Sequence, residues 1–263
     1  MLQYTLPPAA SSDSSLLITA PAGSHFAQLH QDTDSLGRHV AHFIDAGIQR
    51  DEPVLLVATQ SHIKSILHHL RLRGRAISQC EETRQLSILD ADWALRQVMV
   101  GNTPVWQLFS HVIGTPIQRI RVPHYNARVY GEMVGIMWQQ GKYEVARQLE
   151  RFWCRLQEKQ PFAWFCCYLL DRWALSVYDA PLKHLDAVKC PIVPTEADRR
   201  FAVAVARAAQ EILGDIAARP EASVSVGLPE GVRRMLYVRR MMPAASERIL
   251  RLAQQLFVAD ARH

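Results

Sequence analysis

The chain has 263 residues, of which 49% are hydrophobic and 21% charged, and its formal net charge is +5. This balance is typical of a globular protein with a buried core and excludes an intrinsically disordered chain. The charge permits an acidic partner but is too small for a dedicated nucleic-acid binder. The five cysteines include the adjacent pair Cys166 and Cys167, a pattern that argues against a disulfide framework and for reduced thiols.

The first fifteen residues carry no hydrophobic periodicity. They contain Pro7, Pro8 and a cluster of Ser and Asp, and we predict a flexible tail over 1–15. They have neither a basic segment nor a long apolar one, so they do not resemble a secretory signal. No segment reaches the roughly 18 consecutive apolar residues of a membrane helix. We therefore expect a cytoplasmic protein that does not insert into a membrane.

Alternating strand and helix patterns begin after this tail. The apolar run 16–20 predicts a first strand. Apolar residues at helical spacing between 34 and 47 then predict an amphipathic helix. Residues 53–58 form a continuous run of Leu and β-branched residues, as in a strand that is buried on both faces of a parallel sheet. A second helix pattern follows and ends at Gly74.

The same alternation continues through the middle of the chain. Strands are predicted at 86–89, 128–130 and 162–170, with two helical pieces after the first of them. A strong amphipathic helix, 145–156, precedes the last. Elements in this order predict an α/β fold, a three-layer sandwich with a mostly parallel sheet.

The pattern changes in the last third of the chain. Helical stripes of apolar residues occur at 201–212 and 249–256, and strand signals vanish apart from 224–226. We therefore predict an α/β domain over 16–195 and a helical C-terminal segment over 196–263.

Motifs of nucleotide-binding and hydrolytic enzymes are missing from the sequence. A phosphate-binding α/β fold normally has a glycine-rich turn at a helix N-terminus, but the pair Gly141-Lys142 has no glycine five residues before it. G-x-S-x-G, H-E-x-x-H and C-x-x-C are also absent. Paired histidines, as at His39 and His42, are interpreted as solvated helix residues. We predict no enzyme, no cofactor and no metal site.

One stretch, 128–133, combines a strand, a glycine and a carboxylate. Ligands of open α/β sheets bind beyond the carboxyl ends of the strands, so Arg128 and Glu132 are candidates for a binding site. We expect both to be partly exposed, with alanine variants that lose about 1 kcal/mol. A structural interpretation has equal weight: Gly131 would permit a tight strand-to-helix turn, and Glu132 would stabilise the next helix N-terminus.

Residues 128–170, RVYGEMVGIMWQQGKYEVARQLERFWCRLQEKQPFAWFCCYLL, resemble the MEDS domain, the sensory domain of DcmR-type regulators of methanogens and methylotrophs. The segments G-S-H-F at 23–26 and E-P-V-L-L-V-A-T at 52–59 are similar to the same family. The resemblance extends over residues 20–195. Its most specific part is the R-V-Y-G-E-M core with the L-E-x-x-W and C-x-Y segments that follow.

The resemblance implies a RecA/KaiC-like fold that has lost its phosphate loop, and residues 24–34 indeed carry His and Asp where glycines and a lysine would be needed. It also implies a non-catalytic sensor that binds a small molecule, often a hydrocarbon derivative, and passes the signal to a regulatory protein. We assign seven candidate ligand-binding residues to a pocket at the carboxyl edge of the sheet: His25, His30, Arg128, Tyr130, Glu132, Cys166 and Tyr168. For Cys166 and Tyr168, core packing has more weight.

Two other functions remain as alternatives. A degenerate nucleotide-dependent enzyme would use Glu132 as general base, as RecA-like ATPases use an acidic residue. A DNA-binding regulator would use the arginines of one helical run, which are also our candidates for binding a regulatory protein or a second copy of the chain: Arg233, Arg234, Arg239 and Arg240. Nucleic acid is the less favoured of these partners.

Overall fold

The computed structural model describes residues 17–120, 126–179, 182, 191–214 and 227–260. The predicted tail over 1–15 and the strand signal at 224–226 lie outside these residues.

Five parallel strands form the main sheet, and two short strands form a separate ribbon. In chain order the strands are β1 (His25–His30), β2 (Val54–Ala58), β3 (Leu86–Asp90), β4 (Met99–Val100), β5 (Thr103–Pro104), β6 (Arg128–Gly131) and β7 (Ala163–Leu169). The order across the main sheet is β1-β7-β6-β2-β3, and β4 pairs with β5. Val54 is in register with Leu86 and Arg128, and Arg128 with Ala163. All residues of β1, β2 and β6 are buried, the pattern of strands covered on both faces.

Helices fill most of the remaining described chain. In chain order they are α1 (Thr33–Ile48), α2 (Gln60–Leu72), α3 (Ile77–Glu82), α4 (Ala91–Val98), α5 (Trp106–Phe109), a π-helical turn (Ser110–Gly114), α6 (Thr115–Ile120), α7 (Met133–Gln139), α8 (Tyr143–Lys159), a 3₁₀ turn (Leu175–Tyr178), α9 (Glu196–Leu213), α10 (Glu230–Met241) and α11 (Pro243–Ala259). Their starts follow local chemistry: the Asp90 carboxylate accepts the Trp93 N–H at 2.6 Å where α4 begins.

The predicted α/β architecture is confirmed, because helices pack on both faces of the sheet. The rings of Phe43 on α1 and Phe165 on β7 have centroids 5.3 Å apart. Trp153 on α8 stacks on Trp164, the neighbouring residue of β7, at 5.1 Å. Successive strand residues point to opposite faces, so α1 and α8 lie on opposite sides of the sheet and form the outer layers of a three-layer arrangement.

The start of the sheet differs from the sequence prediction. Residues Leu17 to Thr19 are helical, and the first strand is β1. The apolar run 16–20 was misread because a short apolar run fits a helix as well as a strand. Strand β1 was missed because polar residues, among them His25 and Gln28, interrupt its apolar pattern.

The chain divides into two compact units that interleave along the sequence. Among the described residues, unit 1 lies within 17–24, 34–131 and 152–165, and unit 2 lies within 25–33, 132–151 and 166–260. Unit 1 holds β2, β3 and β6 with α1 to α6, and unit 2 holds β1, α7 and α9 to α11. The boundary passes through the continuous elements α8 and β7. The predicted domain boundary at residue 195 stays a prediction.

Within unit 2, α9 begins with a capping box. The Thr195 hydroxyl accepts the Asp198 N–H at 3.2 Å, and the Asp198 carboxylate accepts the Thr195 N–H at 2.8 Å. The outer side of β1 is also covered, because Ala27 pairs in parallel with Ile192. The C-terminal segment is helical where the structure describes it, and α9 follows directly on this added pairing.

Candidate functional site

The predicted ligand residues on β7 and β6 lie on different faces of the sheet. Cys166 and Tyr168 share one face of β7, opposite to Phe165. Tyr130 is in register with Phe165, and the two rings have centroids 5.5 Å apart. Tyr130 therefore projects away from the face of Cys166 and Tyr168, and both tyrosines pack as core residues, Tyr168 against Trp138 at 5.7 Å.

The two predicted histidines of β1 also separate. His25 begins the strand and His30 ends it, and a spacing of five places their side chains on opposite faces. Both are buried. Of the seven predicted residues, His25 and Cys166 come together, with Nε2 and Sγ 3.6 Å apart.

Arg128 begins β6, so it lies at the amino end of the strand and not at the carboxyl edge where the sequence placed it. Its guanidinium is fully buried. Nε donates to Glu52 Oε2 at 2.5 Å, and Nη1 donates to the carbonyls of Leu17 at 2.6 Å and Phe43 at 3.1 Å. Nη2 donates to Ile18 O at 2.7 Å. The carbonyls of Leu17 and Ile18 belong to a short helical turn, whose last carbonyls have no partner within the helix.

These contacts make Arg128 a structural clamp, which corrects the expectation of a partly exposed residue. Burial lowers the pKa of Arg128, and the hydrogen bond that Arg128 donates to the Glu52 carboxylate opposes this shift. Room for the side chain comes from Gly47 on α1, where an added Cβ would lie 2.7 Å from Arg128 Cδ. The guanidinium also lies over the ring of Phe43, 5.0 Å from its centroid.

Glu132 is the N-cap residue of α7 and is buried, with 3% of its surface exposed, so the expected partial exposure is not found here either. Its side chain makes no cap hydrogen bond, although its carbonyl accepts the Ile136 N–H at 2.9 Å. Gly131 is needed for space and not for a left-handed turn: an added Cβ would lie 3.0 Å from Trp153 Cζ2.

A cluster of buried polar side chains in unit 2 contains His25 and Cys166, which the sequence analysis selected, and Glu150, which it missed. His25 Nε2 lies 3.5 Å from Glu150 Oε1 on α8 and 3.6 Å from Cys166 Sγ on β7. Among the residues that the structure describes, Glu150 Oε2 is buried without a hydrogen-bond partner. Glu150 was missed because a glutamate in an amphipathic helix normally faces solvent, and its place in the L-E-x-x-W segment was the signal that could have found it.

Burial sets the protonation of this cluster. It lowers the pKa of His25 to about 3 and raises the pKa of Glu150 to about 8. Burial therefore disfavours the charged form of both side chains.

A second buried polar residue, Gln28, lies in the middle of β1. It has 0% exposure, and neither its amide nitrogen nor its amide oxygen has a hydrogen-bond partner in the described part of the chain. A spacing of two places Gln28 on the same face as Phe26 and His30. An unpaired buried amide costs about 1–3 kcal/mol, so its presence needs a reason. The lone amide within an apolar strand was the signal that sequence reasoning overlooked.

A polar network connects the carboxyl ends of β1 and β7 to the C-terminal helices of unit 2. Arg172, just after β7, donates from Nε to Gln31 Oε1 at 3.1 Å, just after β1. Its Nη1 lies 3.2 Å from Asp198 Oδ1 in the first turn of α9, and both side chains are buried. The Tyr178 hydroxyl donates to the Arg172 carbonyl at 2.6 Å. The network gives the sheet a direct link to α9.

The four arginines predicted to bind a partner lie on α10. Arg240 is exposed, and the other three are half-buried. Arg239 donates to the Asp179 carboxylate at 2.9 and 3.2 Å, and Arg234 donates to Glu230 at 3.2 Å. Arg239 thus already has an acidic partner within its own chain.

The connection between β1 and α1 consists of Gln31 and Asp32 alone. A phosphate loop requires several glycines and a lysine at this place. The segment 24–34, which the sequence analysis treated as a loop, is therefore mostly strand, and the connection that remains has neither residue type.

The described chain is thus a parallel α/β domain with buried polar residues on its strands and a polar link to a helical segment. The family model of the MEDS domain, the methanogen/methylotroph DcmR sensory domain, matches residues 24–180. This chain belongs to that sensory family, which confirms the resemblance inferred from the sequence. A comparison with curated proteins gave no match. Within the described ranges, no helix has both the length and the apolar character to cross a membrane.

Proposed function

We propose that this chain is a non-catalytic sensor that binds a small organic molecule beside Gln28 in unit 2 and passes the signal to a regulatory protein. The observation that carries the proposal is the unpaired amide of Gln28 in a fully buried position. Membership of a sensory domain family supports it.

The chemistry of Gln28 selects the class of ligand. Its amide offers one acceptor and two donors, and its neighbour on the same face of β1, Phe26, is apolar. A site of this kind suits a small neutral molecule with an apolar body and a single hydroxyl or carbonyl group. Such a molecule is a hydrocarbon derivative, the class that the family resemblance implies.

The network of Gln31, Arg172 and Asp198 supports a route for the signal. A ligand that shifts β1 acts on Gln31 at the end of the same strand, and Gln31 contacts Arg172. Arg172 in turn pairs with Asp198 on α9. The helices α9 to α11 are then the part that meets a regulatory partner, with Arg240 as the exposed arginine.

The absence of catalysis is part of the proposal. The two-residue turn of Gln31 and Asp32 supports it, because this turn lacks the backbone cradle and the lysine that hold the β- and γ-phosphates of ATP. We retain a RecA/KaiC-like relationship without a phosphate loop as a prediction. ATP turnover with Mg²⁺ that disappears in Glu132→Gln would contradict the non-catalytic function.

Thermal unfolding of the full chain with a panel of probes tests the ligand site. The panel consists of methanol, ethanol, acetone and acetamide, and native mass spectrometry of the freshly purified protein seeks a co-purified molecule. We expect at least one probe to raise the Tm of the wild-type chain and of the control Gln79→Leu, an exposed glutamine on α3, but not of Gln28→Leu. Equal responses of both variants would place the ligand elsewhere.

A further inference from the structure

His25 and Glu150 form a contact that the sensor function does not use. The two side chains come from β1 and α8, far apart in the sequence, and both are buried. Cys166 of β7 lies on the same side of His25. We propose that His25 and Glu150, together with cysteine thiols of β7 and α8, form a binding site for a thiophilic divalent metal ion such as Zn²⁺.

The donor types are those that zinc selects. Imidazole nitrogen, carboxylate oxygen and cysteine sulfur are its protein ligands, and a mixed set with sulfur disfavours Mg²⁺ and Ca²⁺, which require oxygen. The three elements that carry the donors do not belong to one local motif. This explains why the sequence predicted no metal site.

The distances between the donor atoms fit a shared ion. Zinc bonds of about 2.0–2.1 Å to nitrogen, 2.0–2.2 Å to oxygen and 2.3 Å to sulfur, at tetrahedral angles, place nitrogen about 3.4 Å from oxygen and about 3.6 Å from sulfur. His25, Glu150 and Cys154 offer donor atoms that all lie within 4.8 Å of one another. His25 Nε2 lies 3.5 Å from Glu150 Oε1 and 3.6 Å from Cys166 Sγ. The distance from His25 to Glu150 is long for an ordinary hydrogen bond to oxygen, which has a mode of about 2.9 Å.

A second observation is the unused oxygen of Glu150. Glu150 has 8% of its surface exposed, and its Oε2 has no hydrogen-bond partner among the described residues. Buried polar atoms without partners are rare in folded proteins, and a bound ion is one of the recognised explanations for them. A metal ion beside His25 would satisfy this carboxylate.

Helix α8 can add a further sulfur. Cys154 follows Glu150 by four residues on this continuous helix, and residues at i and i+4 share one helix face. It forms no disulfide and is half-buried. Cys80, on α3, is the matched control, because it is a thiol outside any disulfide that does not belong to the group of His25, Glu150 and Cys154.

Titration of the full chain with Co²⁺ tests the site. The protein is treated with a chelator, reduced without added thiols and titrated, and Co²⁺ reports its ligands through d–d absorption and a thiolate-to-cobalt charge-transfer band. We expect one tightly bound ion per chain, displaced by Zn²⁺. His25→Ala and Glu150→Gln should weaken binding at least about 100-fold, since loss of even outer-shell partners costs up to about that much. Cys166→Ser and Cys154→Ser should reduce the charge-transfer band, and Cys80→Ser should leave it unchanged.

Three results would overturn the proposal: no stoichiometric uptake of Co²⁺, uptake that Glu150→Gln leaves intact, or a band that persists in both Cys166→Ser and Cys154→Ser. Glu150→Gln keeps the shape of the side chain and therefore decides the matter if His25→Ala fails to fold. Circular dichroism of each variant separates a lost site from a lost fold.

Discussion

Arg128 in unit 1 and Glu150 in unit 2 are both buried ionisable residues, but they differ in how completely their polar atoms are paired. All three guanidinium nitrogens of Arg128 donate hydrogen bonds to named acceptors. Glu150 meets His25 through one oxygen and leaves the other unused in the described chain. A buried charge that is fully paired serves the fold, whereas a buried polar group with unused atoms has capacity for a ligand.

The largest expected effect comes from breaking the paired cluster. Arg128→Ala removes four hydrogen bonds and leaves Glu52 and the carbonyls of Leu17, Ile18 and Phe43 without their donor. We expect a loss of about 3–5 kcal/mol in the free energy of unfolding, measured by urea denaturation, because one partner of a buried ion pair is removed.

The control for this variant is Arg38→Ala, which removes an arginine whose side chain is 61% exposed and pairs with Asp34. It should lose less than about 1 kcal/mol. If Arg128→Ala lost no more than Arg38→Ala, Arg128 would not be a clamp, and its place among the candidate ligand residues would be open again.

The next effect concerns the space that Arg128 occupies. Gly47→Ala places a Cβ 2.7 Å from Arg128 Cδ, and overpacking of this kind costs about 1–3 kcal/mol. In the Arg128→Ala background the cost should vanish, or reverse by up to about 1 kcal/mol, because alanine is the better helix former. A double-mutant cycle by urea denaturation measures this coupling. Equal costs in both backgrounds would show that Val54, 3.1 Å from the same Cβ position, sets the limit and not Arg128.

The sequence predicted the strands and helices whose buried positions are marked by a regular pattern of apolar residues. Strands β2 and β7 and helices α1 and α8 have continuous or strictly periodic apolar patterns, and their predicted bounds agree with the structure to within two or three residues. Strand β1 was missed because its buried positions include His25, Gln28 and His30, and pattern reasoning assigns buried positions to apolar residues.

The candidate site was less predictable than the fold. The motif 128–133 was correctly singled out as unusual, but no sequence pattern distinguishes an arginine at the amino end of a short strand from one near a ligand. The contact of His25 with Glu150 joins residues 125 positions apart in the chain, and only tertiary structure brings them together.

The third prediction concerns a buried polar group without partners, in contrast to the fully paired Arg128. Gln28→Leu replaces a buried amide without partners by an apolar side chain of similar size, so the ligand-free chain should keep its stability or gain up to about 1 kcal/mol by urea denaturation. This outcome contrasts with Arg128→Ala, although both residues are fully buried. A loss above about 2 kcal/mol would show that the amide of Gln28 is paired in solution, and the ligand site would lose its basis.

The smallest effect is expected where a polar group is paired but exposed. Asp34, in the first turn of α1, accepts hydrogen bonds from His69 and Arg38, both of which lower the pKa of its carboxyl below the ordinary value of 3.8. A lowered pKa contributes stability above the unfolded-state pKa, and this contribution is lost as the pH falls through the folded-state pKa. The side chain is 62% exposed, so solvent screens the pair, and Asp34→Asn should cost less than about 0.5 kcal/mol at pH 7. Urea denaturation at pH 7 and near pH 2 should show this small difference shrinking at the lower pH. A cost above about 1 kcal/mol that persists in acid would mean that the start of α1, and not the ionised pair, depends on Asp34.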